Sequence, residues 1–339
     1  MRAWLFFICA MIFAMILVGG ATRLTDSGLS ITEWQPIVGI LPPLTEDAWR
    51  EAFRLYQKIP EYAVVNKGMS LDEFKFIYWW EWAHRFLGRM IGLVFLLPFL
   101  YFIARGRISR RLAPKLVIMF VLGGLQGALG WYMVRSGLVD RVDVSQYRLA
   151  AHLCAAIFIF GYIFWVAIRM GRRHSADNVS GPVTALSAAF LTLAIFVQIA
   201  LGAFVAGLDA GQGYNTWPEM DGTLIPDGLA AMTPWYLNLF ENALTVQFNH
   251  RMFAYALVIY ASLHAVLVAR IGGKEDGIAM SAALLACAVW LQAALGVMTL
   301  LTRVPVSLGL AHQGMAVIVF ALSLFHLSRL LPVPARDPR

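Results

Sequence analysis

Charge is what this chain has least of. Only 14% of its 339 residues are Asp, Glu, Lys or Arg, against about 25% in a soluble domain. That shortage excludes an ordinary water-facing surface. No basic face on a soluble module is present, so a nucleic-acid partner is excluded and the net charge of +7 needs another origin. Cysteine is nearly absent: Cys9, Cys154 and Cys287 are the three, and each falls in an apolar run. The long loops between runs have none, which excludes a disulfide framework or a dithiol couple there. Segment 208–247 also lacks Lys and Arg, while it carries Asp209, Glu219, Asp221, Asp227 and Glu241.

What fills the chain is apolar, at 60% of all residues. Runs of roughly 20 residues, enough to cross a hydrocarbon core, recur near Ala3–Ala21, Phe76–Phe102, Leu116–Val134, Leu149–Ile168, Val183–Gly207, Phe248–Ala269, Ile278–Leu301 and Leu308–Leu327. They predict an all-α integral membrane protein of eight transmembrane helices, with membrane lipid as its surroundings and no separate soluble domain. The first run is longer than the usual 7–15 apolar residues of a signal peptide and is expected to stay as a helix. Basic residues orient the spans. Arg105, Arg107, Arg110, Arg111 and Lys115 crowd one loop, and Arg169, Arg172 and Arg173 follow the fourth span. The positive-inside rule puts these loops and both termini in the cytoplasm, and the first and fifth loops outside.

The chain repeats itself. Glu81-Trp82-Ala83-His84-Arg85 matches Gln247-Phe248-Asn249-His250-Arg251, and Leu125 through Gly130 matches Leu291 through Gly296. Leu149-Ala150-Ala151-His152 matches Gly309-Leu310-Ala311-His312, and Thr32 through Pro36 is echoed by Asn215 through Pro218. These matches predict two tandem, pseudo-symmetric four-helix bundles, residues 1–175 and 176–339, in parallel orientation. Gly88 with Gly92, Gly123 with Gly127, and the Gln-x-x-x-Gly pairs Gln126/Gly130, Gln198/Gly202 and Gln292/Gly296 are expected to serve close helix packing.

Of seven histidines, His84, His152, His250 and His312 sit at matching places near the outer starts of even-numbered spans. Ionisable groups in a span are costly and usually functional. Two helices offering His at one level can supply both axial ligands to a haem iron, and no register of Cys, Asp and Glu completes a zinc site. Symmetry pairs His84 with His152 and His250 with His312, with cross-pairing between halves left open. Arg85 and Arg251 suit either a haem propionate or the interfacial water. Glu81 lies one helical turn before His84, whereas its counterpart is Gln247; a carboxylate in one half alone suggests proton-coupled chemistry there. Ser70-Leu71-Asp72-Glu73 has the form of a capping box that starts this helix. A competing pattern is His264 and His326, each fourteen residues beyond a site histidine, roughly 21 Å along the helix; it leaves a second haem in the C-terminal half open. His174 sits in a basic loop and needs no role.

These motifs resemble the haem A synthase family. Leu24 through Ser30 with Trp34, Pro36, Gly39, Pro42 and Pro43 is similar to its first outer loop; Glu81–Arg85, Leu125–Leu138, Tyr214–Pro218 and Gln247–Arg251 are similar to its other motifs. The resemblance runs from the first span to the last. It implies an oxidoreductase acting on a CH3 group, converting the C8 methyl of haem O to the formyl of haem A by two hydroxylations and loss of water, for cytochrome oxidase assembly. It also implies that His84 and His152 hold the substrate haem O with Glu81 as the acid or base, and that His250 and His312 hold haem b as an electron-passing cofactor. The outer-loop cysteine pair of some members is missing, so the chain looks like the branch without it. A ferredoxin-type electron donor and haem O synthase then become the expected partners, and a homo-oligomer is left open. A start directly at the first span is expected for a bacterial inner membrane protein. A dihaem b-type electron carrier or quinone oxidoreductase, and a haem chaperone, remain the alternatives. A membrane-impermeant thiol reagent added outside should label a cysteine introduced within 208–247 and spare one within 105–115; the reverse would invert the topology.

Overall fold

The computed structural model describes residues 1–33, 38–138, 142–170, 181–271 and 276–332. Among these the chain is helical, with ten α-helices: α1 (Arg2–Leu24), α2 (Glu46–Tyr56), α3 (Pro60–Val64), α4 (Leu71–Ala104), α5 (Ala113–Arg135), α6 (Gln146–Met170), α7 (Pro182–Gly207), α8 (Ala243–Ile271), α9 (Asp276–Leu301) and α10 (Val306–Leu330). All but α2 and α3 are long and apolar enough to cross a membrane, which makes eight. Each expected run lies inside its helix. The helices extend further because polar residues at a span's ends still satisfy their backbone groups helically.

Residues 10–156 form one compact unit, and residues 157–339 with 1–9 form another. The division falls within α6. The inner part of α6 belongs with the start of α1: Arg2 Nε donates to Ala167 O at 3.2 Å, and the Phe6 and Phe164 rings meet edge to face. Arg169, at the end of α6, donates to the carbonyls of Ser328, Leu331 and Pro332, which α10 leaves open at its C-terminus. In this second unit α7 packs on α8, α8 on α9, α9 on α10 and α10 back on α7, a closed ring of four helices.

The first unit carries a cap of short helices that the apolar runs gave no sign of. Helix α4 has 34 residues, about 51 Å of length, so it outreaches a hydrocarbon core of roughly 30 Å. The Ser70 capping box does start it, with Ser70 Oγ accepting from Glu73 N at 3.3 Å and Ser70 N donating to Glu73 Oε2 at 2.8 Å. Against the projecting end, α2 and the turn into α3 bury Trp49, Tyr56 and Ile59 on Phe74, Ile77 and Tyr78 of α4. Thr45 caps α2 and Pro60 opens α3.

Glu61 of α3 is only 4% exposed and its Oε2 has no hydrogen-bond partner. Burial, together with the charges of Asp26, Glu81 and Asp143 and against that of Arg23, pushes its carboxyl up to about 8. The folded cap therefore favours the protonated form. Its contribution to stability is complete below the ordinary carboxylate range and is lost as the pH rises through about 8. Thermal unfolding of the detergent-solubilised chain should show this loss, and Glu61→Gln, which keeps the neutral shape, should flatten it. An unchanged pH profile in the variant would disprove the assignment.

Candidate functional site

Each of the four matching histidines reaches inward because the neighbouring helix gives up a side chain opposite it. A Cβ added at Gly130 of α5 would stand 2.9 Å from His152 Cε1; at Gly202 of α7, 3.1 Å from His250 Cε1; at Gly296 of α9, 2.8 Å from His312 Cε1. At Gly19 of α1 it would stand 3.2 Å from His84 Nε2. At Gly130 and Gly296 the ring would have to shift for a Cβ to fit, and at Gly202 and Gly19 it would have to give by a few tenths of an ångström. Three of these glycines have a function that the packing expectation did not anticipate: they are the floors of imidazole pockets.

The glutamines four residues earlier belong to the same device. Gln126 Nε2 donates to His152 O at 2.9 Å and lies 3.1 Å from its Nδ1. Gln198 does the same to His250, at 3.0 and 3.0 Å, and Gln292 to His312, at 3.0 and 3.2 Å. The repeated Gln-x-x-x-Gly was legible in the sequence; its meaning was not, because it shows only when each odd helix is set beside the following even one.

The His250 and His312 ring centres are 6.5 Å apart with planes at 80°. Two metal–nitrogen bonds of about 2 Å each, plus the distance from each nitrogen to its ring centre, need roughly 6–6.5 Å. The ring-centre spacing therefore leaves room for one metal ion between the two imidazoles. His84 and His152 are electrostatic neighbours in the first unit. The competing pair does not fit. His264 and His326 are 2% and 0% exposed, and their Nε2 atoms are 2.9 Å apart, a direct hydrogen bond with no room for a metal. Ser187 Oγ meets His264 Nδ1 at 2.9 Å and Ser281 Oγ meets His326 Nδ1 at 2.8 Å. Every ring nitrogen is satisfied, so the pair braces the ring of α7, α8, α9 and α10.

Glu81 and Gln247 each anchor a loop of their own unit. Glu81, 2% exposed, accepts from Ser30 Oγ at 2.9 Å, from Ile31 N at 2.7 Å and from Arg85 at 2.5 Å. Arg85 also donates to Ile31 O and Glu33 O. Gln247 is 2% exposed as well, but its Nε2 donates to Ala210 O at 2.6 Å and Gly213 O at 2.7 Å, while its Oε1 accepts from Arg251 at 2.9 Å. Arg251 further donates to the carbonyls of Tyr214, Thr216 and Glu219, leaving its buried Nε without a partner. The Glu/Gln difference thus follows loop polarity. One loop offers donors to a carboxylate, the other carbonyls to an amide. Trp34, Pro36, Arg172, Arg173 and His174 lie outside the described residues.

Replacing Gln247 by Glu would set a carboxylate against two carbonyl oxygens. It should destabilise the chain by roughly 1–3 kcal/mol in denaturant unfolding, while Gln247→Asn should be milder. Equal stability of Gln247→Glu and the parent would contradict the polarity argument.

The sequence matches the family model described as cytochrome oxidase assembly protein over residues 2–324. The chain is 54% identical to the heme A synthase of Parvibaculum lavamentivorans, over 96% of this chain and 93% of that one. It is 54% identical to the heme A synthase of Bradyrhizobium diazoefficiens, over 97% and 91%, and 52% identical to that of Agrobacterium fabrum, over 96% and 89%. With its eight spans, its four glycine-backed histidines and a match along nearly its whole length, the chain belongs to the cytochrome oxidase assembly protein family.

Proposed function

We propose that this chain is a multi-pass membrane haem A synthase that oxidises the C8 methyl of haem O to the formyl of haem A. The observation that carries the proposal is the set of four imidazoles, each held in a pocket floored by glycine, with the ring centres of one pair 6.5 Å apart, room for one metal ion. The near-full-length heme A synthase relatives support the same reading.

In this proposal His84 and His152 bind the substrate haem O, and His250 and His312 bind a haem b. When bound, the haem groups supply the oxidative and electron-transfer chemistry. The chain's residues orient and insulate it. Ordinary Cβ atoms would block the ring pockets, so the glycines set how deep each iron ligand can stand. Glu81 lies one turn from His84 and takes or gives a proton at its carboxylate. When it is protonated its ion pair with Arg85 is lost, so proton transfer here also loosens the loop bound through Ser30 and Ile31. Arg251 keeps its loop in place and has Nε left for a propionate. A ferredoxin-type protein is the proposed electron donor and haem O synthase the proposed source of substrate.

The decisive experiment is extraction and chromatography of the haems that copurify with the full chain, expressed with and without a haem O supply. Haem A or a hydroxylated haem O should appear only with haem O, should vanish with His84→Ala, and should persist with His264→Ala. Haem b alone under both conditions, in amounts that fall with His264→Ala, would overturn the proposal in favour of an electron carrier.

A further inference from the structure

Three of the four site histidines are clamped by a glutamine; the fourth is not. Gln126, Gln198 and Gln292 each precede the pocket glycine by four residues, donate to the carbonyl of the histidine they face and stand against its ring, Gln126 at Nδ1 and Gln198 and Gln292 within 3.5 Å of both ring nitrogens. On α1 the residue four before Gly19 is Met15. Among the described residues no hydrogen bond to the His84 ring is formed. Met15 lies instead over the next turn of α4, where a Cβ at Gly88 would stand 3.0 Å from its Cε. Four residues beyond each clamped histidine the chain has alanine, at Ala156, Ala254 and Ala316; beyond His84 it has Gly88. The pairing of clamp and following residue is therefore Gln with Ala three times and Met with Gly once. The ring orientation differs as well. Cε1 is the ring atom nearest the glycine in the clamped histidines, whereas His84 turns its Nε2 edge toward Gly19.

A hydrogen-bonded partner on one ring nitrogen fixes the tautomer and orientation of a ligating histidine and raises its basicity. Each clamp donates its amide Nε2 to the histidine carbonyl and stands against the ring nitrogens, so it limits where the ring can lie; the amide oxygen is buried and without a partner in all three glutamines. His84 has no such partner, only a flexible thioether above a glycine.

We propose that Gln126, Gln198 and Gln292 are positioning residues that lock three of the four haem-ligating histidines, and that His84, left unlocked by Met15 and Gly88, is the ligand that swings to admit and release the substrate haem. This inference rests on the haem-binding reading above. It assigns the exchange step to a single imidazole and separates a permanent site from an exchanging one by a side chain on the first helix.

The test uses the purified full chain loaded with haem b as probe, and measures haem transfer to an excess of an apo-haem-protein scavenger. In the parent chain, haem on the His84/His152 pair should leave faster than haem on the His250/His312 pair. Met15→Gln should slow the faster phase about fivefold, the factor that corresponds to roughly 1 kcal/mol, and leave the slower phase alone. Gln126→Met should speed the faster phase further. Gln198→Met should speed the slower phase and, by freeing the His250 ring, shift the reduction potential of that haem. A packing role alone would move neither the potential nor one phase selectively. Haem bound as expected but with both phases and the potential unaltered by these changes would overturn the clamp and leave the site standing. A parent chain that binds no haem would overturn the site, and the clamp with it.

Discussion

A ring as wide as imidazole can stand between two tightly packed helices only where the facing helix has no side chain. That steric constraint, met by Gly19, Gly130, Gly202 and Gly296, underlies the rest of the architecture. It requires each histidine-bearing helix to lie beside a particular partner: α4 by α1, α6 by α5, α8 by α7 and α10 by α9. It also sets the depth of the imidazoles, because only one register brings ring and glycine together. Small residues are common wherever helices approach closely in lipid. Here the space they leave is filled by a functional ring.

Much of the fold was legible in the sequence because lipid imposes harsh rules. A span must satisfy its backbone internally and present apolar side chains, so composition alone located all eight helices. Their ends were less legible, since capping and aqueous contacts take over where the apolar signal stops. The α2–α3 cap was missed for the same reason. Its helices are amphipathic and short, held by Trp49, Tyr56 and Phe74 in an aromatic cluster outside the spans, and hydropathy does not see such packing. Thr45 before Glu46 and Asp47, and Pro60 before Glu61, were the available signals.

The site was legible in its ligands and illegible in their supports. Histidine is rare enough in a span for four repeat-equivalent copies to stand out, whereas glutamine and glycine have too many uses for their spacing to reveal that they face a ring. The same limit applied to Glu81 and Gln247. From sequence the difference looked like chemistry against its absence. The structure shows that both residues anchor a loop, Glu81 facing Ser30 Oγ and Ile31 N and Gln247 facing Ala210 O and Gly213 O. A proton-handling role for Glu81 has to be compatible with that anchoring, and its ion pair with Arg85 supplies the link.

His264 and His326 show why geometry outranks spacing. Fourteen residues beyond a site histidine is a separation that two stacked haems would accept, yet the rings meet at 5.1 Å between centres where His250 and His312 keep 6.5 Å. The difference is one metal atom's worth of room. The direct hydrogen bond also assigns the protons. Ser281 Oγ donates to Ile278 O, so it accepts from His326 Nδ1–H, which leaves His326 Nε2 to accept from His264 Nε2–H. His264 Nδ1 then takes the Ser187 hydroxyl proton. All polar atoms of the pair are satisfied with both rings neutral, a condition that a low-dielectric interior rewards. Two imidazole pairs in one helix ring thus have opposite designs, one closed on itself and one held open by the helices around it.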